Sequence, residues 1–278
     1  MLRKLIKHEF KANWKTFGLI YAALLILTLV TRGIYELDFE SEIFKLTKYI
    51  CTFAYVLVVV FVAFFNIIIA VVRFYRNMLK DQGYLMNTIP VKTRHNIAAK
   101  TLTFTIWGIA SFAAALFSIF IFFVGNDKYS LIMKQIGNTI SDVFKYPSLG
   151  AGFILFIGIV IIQYAANLLG IYAALSIGQI FNKHKILAAV ICYYALNNII
   201  SGIFMFLGIL IQPLIDKLDN VQIQATSINN STRFVSEINA NFGPILGILI
   251  FSFIANIVLL IIYYLISNYF LSKKLNLE

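Results

Sequence analysis

Residues 146–182 read YPSLGAGFILFIGIVIIQYAANLLGIYAALSIGQIFN, with no Lys, Arg, Asp or Glu anywhere in the run. The hydrocarbon core of a bilayer is about 30 Å thick, and a helix needs about 20 apolar residues to cross it. Five further stretches, 16–31, 49–72, 101–126, 186–215 and 238–272, are likewise free of charge. The first is short, but Lys15 and Arg32 flank it and can snorkel to the headgroups. The pattern predicts an all-α polytopic membrane protein with six transmembrane helices, at about 16–33, 49–72, 101–124, 149–181, 186–212 and 244–271. These form one transmembrane domain over residues 1–278.

Composition agrees. The chain is 60% hydrophobic and 13% charged with a mean hydropathy of +0.86, whereas soluble domains carry about 25% charged residues. Six spans and their loops occupy nearly all 278 residues, which leaves no room among them for a soluble catalytic domain. A net charge of +11 invites a nucleic-acid reading, but the distribution argues against it. The N-terminal segment, the loop 73–100, the turn at Lys183 and Lys185, and the tail hold fifteen basic and three acidic residues. The intervening loops (32–48, 127–145, 216–237) hold eight basic and nine acidic, so the sides carry +12 and −1. Lys- and Arg-rich loops stay cytoplasmic, which places both termini inside. The basicity is topological, and no nucleic-acid partner is expected.

Working outward from the spans, residues 2–15 pattern as a basic amphipathic helix. Leu2, Leu5, Ile6, Phe10 and Trp14 share one half of the helical wheel, and Lys4, Lys7, His8, Lys11 and Lys15 the other. Arg3 and Glu9 blur the border. Such a helix is expected in the cytoplasmic headgroup layer. The loops 32–48 and 125–145 read as short outer connections, and 213–243 as a longer polar one. Within the fourth span Ala166, Gly170, Ala174 and Gly178 recur every four residues on one face, a small-residue stripe for close helix packing within the bundle or with another chain. Cys51 and Cys192 lie at different expected depths and read as small packing residues rather than a disulfide.

The loop 73–100, RFYRNMLKDQGYLMNTIPVKTRHNIAAK, is too long for a tight turn. Gly83 interrupts the preceding helix, Pro90 pushes Ile89 towards extended backbone, and between them Tyr84, Leu85 and Met86 make an apolar patch. Such a patch on a basic loop suits contact with lipid or protein.

Absences narrow the chemistry. No G-x-x-x-x-G-K-S/T phosphate loop occurs, no cofactor is expected, and His8, His95 and His184 all fall outside the spans. With no carboxylate in any span, neither a hydrolytic dyad nor ion coupling at mid-membrane is expected. The spans do carry uncharged polar residues: Asn66, Gln163, Asn167, Gln179, Asn197, Asn198 and Asn256. Each serves either an interhelical hydrogen bond or a substrate path, the latter assigned first to Asn167, Asn197, Asn198 and Asn256.

The segment from Asp81 to Val91, DQGYLMNTIPV, resembles the cytoplasmic loop of permease subunits of type-2 ATP-binding-cassette (ABC) exporters from Gram-positive bacteria, which carry an acidic-x-Gly-Tyr-Leu run leading to a Leu/Ile-Pro-Val turn. Residues 5–11, LIKHEFK, are similar to that family's leading amphipathic helix. The resemblance implies a non-enzymatic permease in a bacterial plasma membrane, paired with a second permease chain. Two separate ATPase subunits would bind ATP and seat the loop as a coupling helix. Asp81, Gly83, Tyr84, Leu85, Met86, Pro90 and Arg94 would make that contact, and the cargo would be hydrophobic or peptide-like. The polar, Asn-rich loop 216–241 departs from the short re-entrant helices of many relatives. Two other readings compete: a non-transporting immunity protein that binds a peptide, and an ion-coupled carrier.

Overall fold

The computed structural model describes residues 2–37, 41–80, 93–123, 127–181, 184–216 and 242–273. All the described elements are helical. They are α1 (Leu2–Glu36), α2 (Glu42–Phe74) ending in a π turn (Tyr75–Leu79), α3 (Thr93–Phe123), α4 (Asp127–Lys145), α5 (Pro147–Gly178), α6 (Lys185–Asp216) and α7 (Phe242–Lys273). All but α4 are long and apolar enough to cross a membrane, so the chain is an all-α multi-pass membrane protein. Contacts divide it into two units, residues 1–130 and 131–276.

Unit 1 packs α1, α2 and α3 on one another. The helix expected over residues 2–15 forms, and it runs without a break into the first span. At 1.5 Å per residue α1 is about 52 Å long, well beyond the hydrocarbon thickness. Its inward stripe is Glu9, Asn13, Phe17, Leu24, Thr28 and Thr31, while Trp14 and the lysines at 4, 7, 11 and 15 are exposed. Glu9 is therefore the centre of the buried face rather than a flaw at its edge.

Lipid tails are as apolar as leucine, so transmembrane helices gain little from burying leucine against each other; small and polar contacts hold them. Unit 1 has a ladder of such contacts. Lys100 Nζ donates to Glu9 Oε1 at 2.5 Å, Arg73 Nη1 lies 4.0 Å from Glu9 Oε2, and Arg73 Nη2 donates to the Ala12 carbonyl at 2.7 Å. Farther along, Asn66 Nδ2 donates to the Phe104 carbonyl at 3.0 Å, and the Tyr21 hydroxyl meets Ser111 Oγ at 2.8 Å. Near the far end Ser118 Oγ lies 2.8 Å from both Thr28 Oγ1 and the Tyr55 hydroxyl, so one serine joins all three helices. Between these rungs Trp107 stacks between Phe10 and Phe17, with centroids 4.6 and 4.5 Å away.

Unit 2 is assembled differently. Helix α5 packs against both α6 and α7, while those two scarcely touch each other. Glycines of α5 receive aromatic rings of α7. A Cβ at Gly152 would collide with the Phe242 ring, one at Gly158 would come within 3.2 Å of Phe253, and one at Gly170 within 3.3 Å of Tyr263. At the other end of α5, a Cβ on Gly178 would sit 2.7 Å from Ala189 Cβ and 2.8 Å from the Lys185 carbonyl oxygen of α6. The stripe of Ala166, Gly170, Ala174 and Gly178 is thus buried inside unit 2.

Helix α4 corrects the reading of 125–145 as a plain loop. Its C-terminal part exposes Ile136, Ile140 and Phe144 at a spacing of four, the pattern of a helix lying in the membrane interface. Phe144 also packs 3.3 Å from the Cβ position of Gly150 and edge-to-face with Phe153.

Two tests follow from this packing. The Gly178→Ala substitution should destabilise the protein by about 1–3 kcal/mol through overpacking against α6 backbone, while Gly208→Ala, with open space around it, should not. Thermal unfolding of the detergent-solubilised protein checks both; equal melting temperatures for the two variants would contradict the α5–α6 contact. Lys100→Met leaves the Glu9 carboxylate buried without its ammonium partner and should cost about 3–5 kcal/mol. The Glu9→Gln/Lys100→Met double variant should lose markedly less. A double variant as unstable as the single one would mean that the pair does not hold the unit.

Candidate functional site

Because α6 and α7 each lean on α5 but not on each other, a cleft of ≈ 340 Å³ remains between them, with α5 as its floor. Every helix contributes a pair of polar side chains one turn apart: Gln163 and Asn167 from α5, Asn197 and Ser201 from α6, Ser252 and Asn256 from α7. Residues four apart lie on the same helical face, so each pair faces the cleft as a unit. Ile200, Phe204, Ile248, Phe251 and Leu259 supply apolar walls, and Tyr263 closes one end. Among the described residues no charged side chain lines it.

The lining is graded in exposure. Gln163, Asn167 and Ser201 are exposed, so the cleft is open along that side, whereas Asn256 is only 7% exposed. Asn256 Nδ2 donates to the Ser252 carbonyl at 2.9 Å, one turn back on its own helix. Its Oδ1 is buried and has no hydrogen-bond partner among the described residues. Asn197 Nδ2 donates in the same manner to the Tyr193 carbonyl at 3.0 Å. A carbonyl accepts only from the NH₂ end of an amide, which fixes both side-chain orientations. In each case the amide oxygen is the end left over.

Of the residues assigned to a substrate path, Asn167, Asn197 and Asn256 meet in this cleft. Asn198 does not: one residue on from Asn197, it is turned about 100° around the helix, is exposed, and donates to the Tyr194 carbonyl at 2.9 Å. Ser201, Ser252 and Tyr263 were not anticipated, and the recurring polar pair at a spacing of four was the signal for the first two. Asn66 does the other job foreseen for such residues, bonding between helices in unit 1.

The coupling segment stands differently. Asp81, Gly83, Tyr84, Leu85, Met86 and Pro90 lie outside the described residues, as does most of the loop 213–243. Arg94 is exposed in the first turn of α3. The described residues on either side of the segment are the π turn, whose Met78 and Leu79 are buried, and Thr93 at the start of α3. Arg73 precedes it on α2 and Lys100 follows it on α3, and both converge on Glu9 of α1. Reading 73–100 as one basic loop concealed this, because Arg73 and Lys100 are not solvated loop cations: Lys100 is 1% exposed.

Cys51 and Cys192 are free and half-buried. Among the described residues no group of three or more His, Cys, Asp or Glu is placed to hold a metal ion. Compared with known proteins, the chain matches no family model, no curated protein and no solved structure.

Proposed function

We propose that the chain is the membrane-spanning permease subunit of an exporter driven by a separate ATPase, acting with a second permease chain in a bacterial plasma membrane. Both termini and the segment 81–92 would face the cytoplasm. The observation that carries this reading is the ion-paired base of unit 1. Both ends of the segment are tied through Arg73 and Lys100 to the same carboxylate, Glu9. A push on the segment would therefore be delivered to α1, α2 and α3 together rather than to one hairpin. The sequence DQGYLMNTIPV supplies the apolar contact, Tyr84-Leu85-Met86, that an ATPase groove would grip. The cleft of unit 2 supplies a polar path without fixed charge. ATP would be bound by the partner, and the cargo would be hydrophobic or peptide-like.

A sequestering immunity protein is the second reading, and the cleft is what favours it, since binding alone needs no motor. The two separate on one experiment. Expressed with its cognate ATPase, the wild-type chain should co-purify with that subunit, and the Tyr84→Ala/Leu85→Asp variant should lose at least about tenfold of the association while still inserting in the membrane. Undiminished co-purification of the variant would overturn the docking assignment. Protection of cells that persists with a hydrolysis-dead ATPase would favour sequestration over export.

A further inference from the structure

Asn256 is the most confined polar group in the cleft, and its free end is an acceptor. A buried carbonyl oxygen without a donor costs about 1–3 kcal/mol, and in a membrane span no bulk solvent is close by to relieve it. Asn197 is oriented in the same sense, its NH₂ engaged on its own helix. In both amides of α6 and α7 the oxygen is the unused end: Asn197 is half-buried at the cleft, and Asn256 Oδ1 is closed off from solvent until its side chain or its neighbours shift. On α5 Gln163 and Asn167 are exposed, an unfavourable arrangement for a face that meets only hydrocarbon. Around these groups the walls are aromatic and aliphatic.

We propose that this cleft is a binding site for an uncharged, largely apolar molecule that donates hydrogen bonds, with Asn256 Oδ1 and Asn197 Oδ1 as its acceptors. A carboxylate or ammonium group would enter a site that has no counter-charge, at a cost that uncharged donors avoid. A hydrocarbon without donors would leave Asn256 as unsatisfied as before. The volume of ≈ 340 Å³ falls at the small end of ligand pockets, about 300–1,000 Å³. Two sources share the required chemistry: the amide N–H groups of a short neutral peptide and the hydroxyls of a glycerol lipid. The inference rests on reading the cleft as the substrate path. Binding by the isolated chain needs no ATPase, however, so a negative result here leaves the coupling test above unaffected.

The experiment is equilibrium binding to the full-length chain in lipid nanodiscs, with radiolabelled N-acetyl-trileucine amide as the probe. Its counterparts are the depsipeptide in which esters replace the internal amides, free zwitterionic trileucine, and monoolein as a competitor. The capped peptide should bind, and the depsipeptide and the zwitterion should each bind about tenfold more weakly, the scale of one good hydrogen bond. Asn256→Leu should weaken the capped peptide about tenfold while leaving the depsipeptide unchanged. Asn197→Leu should act in the same direction, and Asn198→Leu, which alters a side chain off the cleft, should have no effect. Because the hydrogen bond of Asn256 stays within its own helix, its removal breaks no interhelical hydrogen bond among the described residues, and the Asn197 and Asn198 pair guards against a folding artefact. If monoolein binds in place of the peptide with the same sensitivity to Asn256→Leu, the donor is a hydroxyl and the proposal stands. Equal binding of amide and ester probes, indifference to Asn256→Leu and Asn197→Leu, or no binding of either peptide or monoolein would overturn it.

Discussion

Hydrocarbon offers a helix no reward for leaving it, and this constraint governs how the protein holds together. In water, six apolar helices would collapse on one another for the sake of their side chains; in lipid the exchange of one apolar neighbour for another is nearly neutral. Association must come from contacts that lipid cannot supply. The two units solve the problem with different chemistry. In unit 1 the seams are polar, running from the Glu9–Lys100 pair to the Ser118 junction. In unit 2 they are steric, with rings of α7 lodged on the glycines of α5 where tails of lipid could not fit as closely.

What a sequence displays depends on whether the physical demand is local. The demand that a span lack charge applies to each residue by itself, so the existence of six spanning helices could be read directly, while the helices extend past the uncharged runs at several ends. Helix α4 also advertises itself, with apolar residues at Ile132, Ile136 and Ile140, but its charges kept it outside any criterion tuned to spans. Pairings are another matter. Glu9 and Lys100 are 91 positions apart, and nothing near either one names the other. The small-residue stripe declared that something packs closely on α5, yet Tyr263 and Ala189 as the occupants emerge only from the fold. Asn197 and Asn198 show the same limit on a smaller scale, because adjacency in the chain is divergence on a helix.

The distribution of polar groups then separates the units further. In unit 1 most of the polar side chains named above look inward and bond a side chain or backbone carbonyl of a neighbouring helix, although Asn13 bonds only within α1. In unit 2 the amides of three helices look into a space bounded by helices that meet only through α5. One arrangement uses its polar groups between helices, and the other leaves a polar-lined space among them. The span composition alone, apolar nearly throughout, gave no hint of that contrast.

Helix α4 carries a mechanical consequence. Phe144 grips the first turns of α5 at Gly150 and Phe153, and only Tyr146 intervenes between the two helices. The joint is therefore short, while the apolar flank of Ile136 and Ile140 suits a single depth in a bilayer. With α4 lying in the headgroup layer, a twist of α5 about its long axis would sweep α4 sideways like a rudder, and a plunge of α5 would drag that flank into water or bury charges such as Lys134. Tilting about the joint is the motion left with least resistance, and tilting of the floor helix is what would alter the gap between its two neighbours.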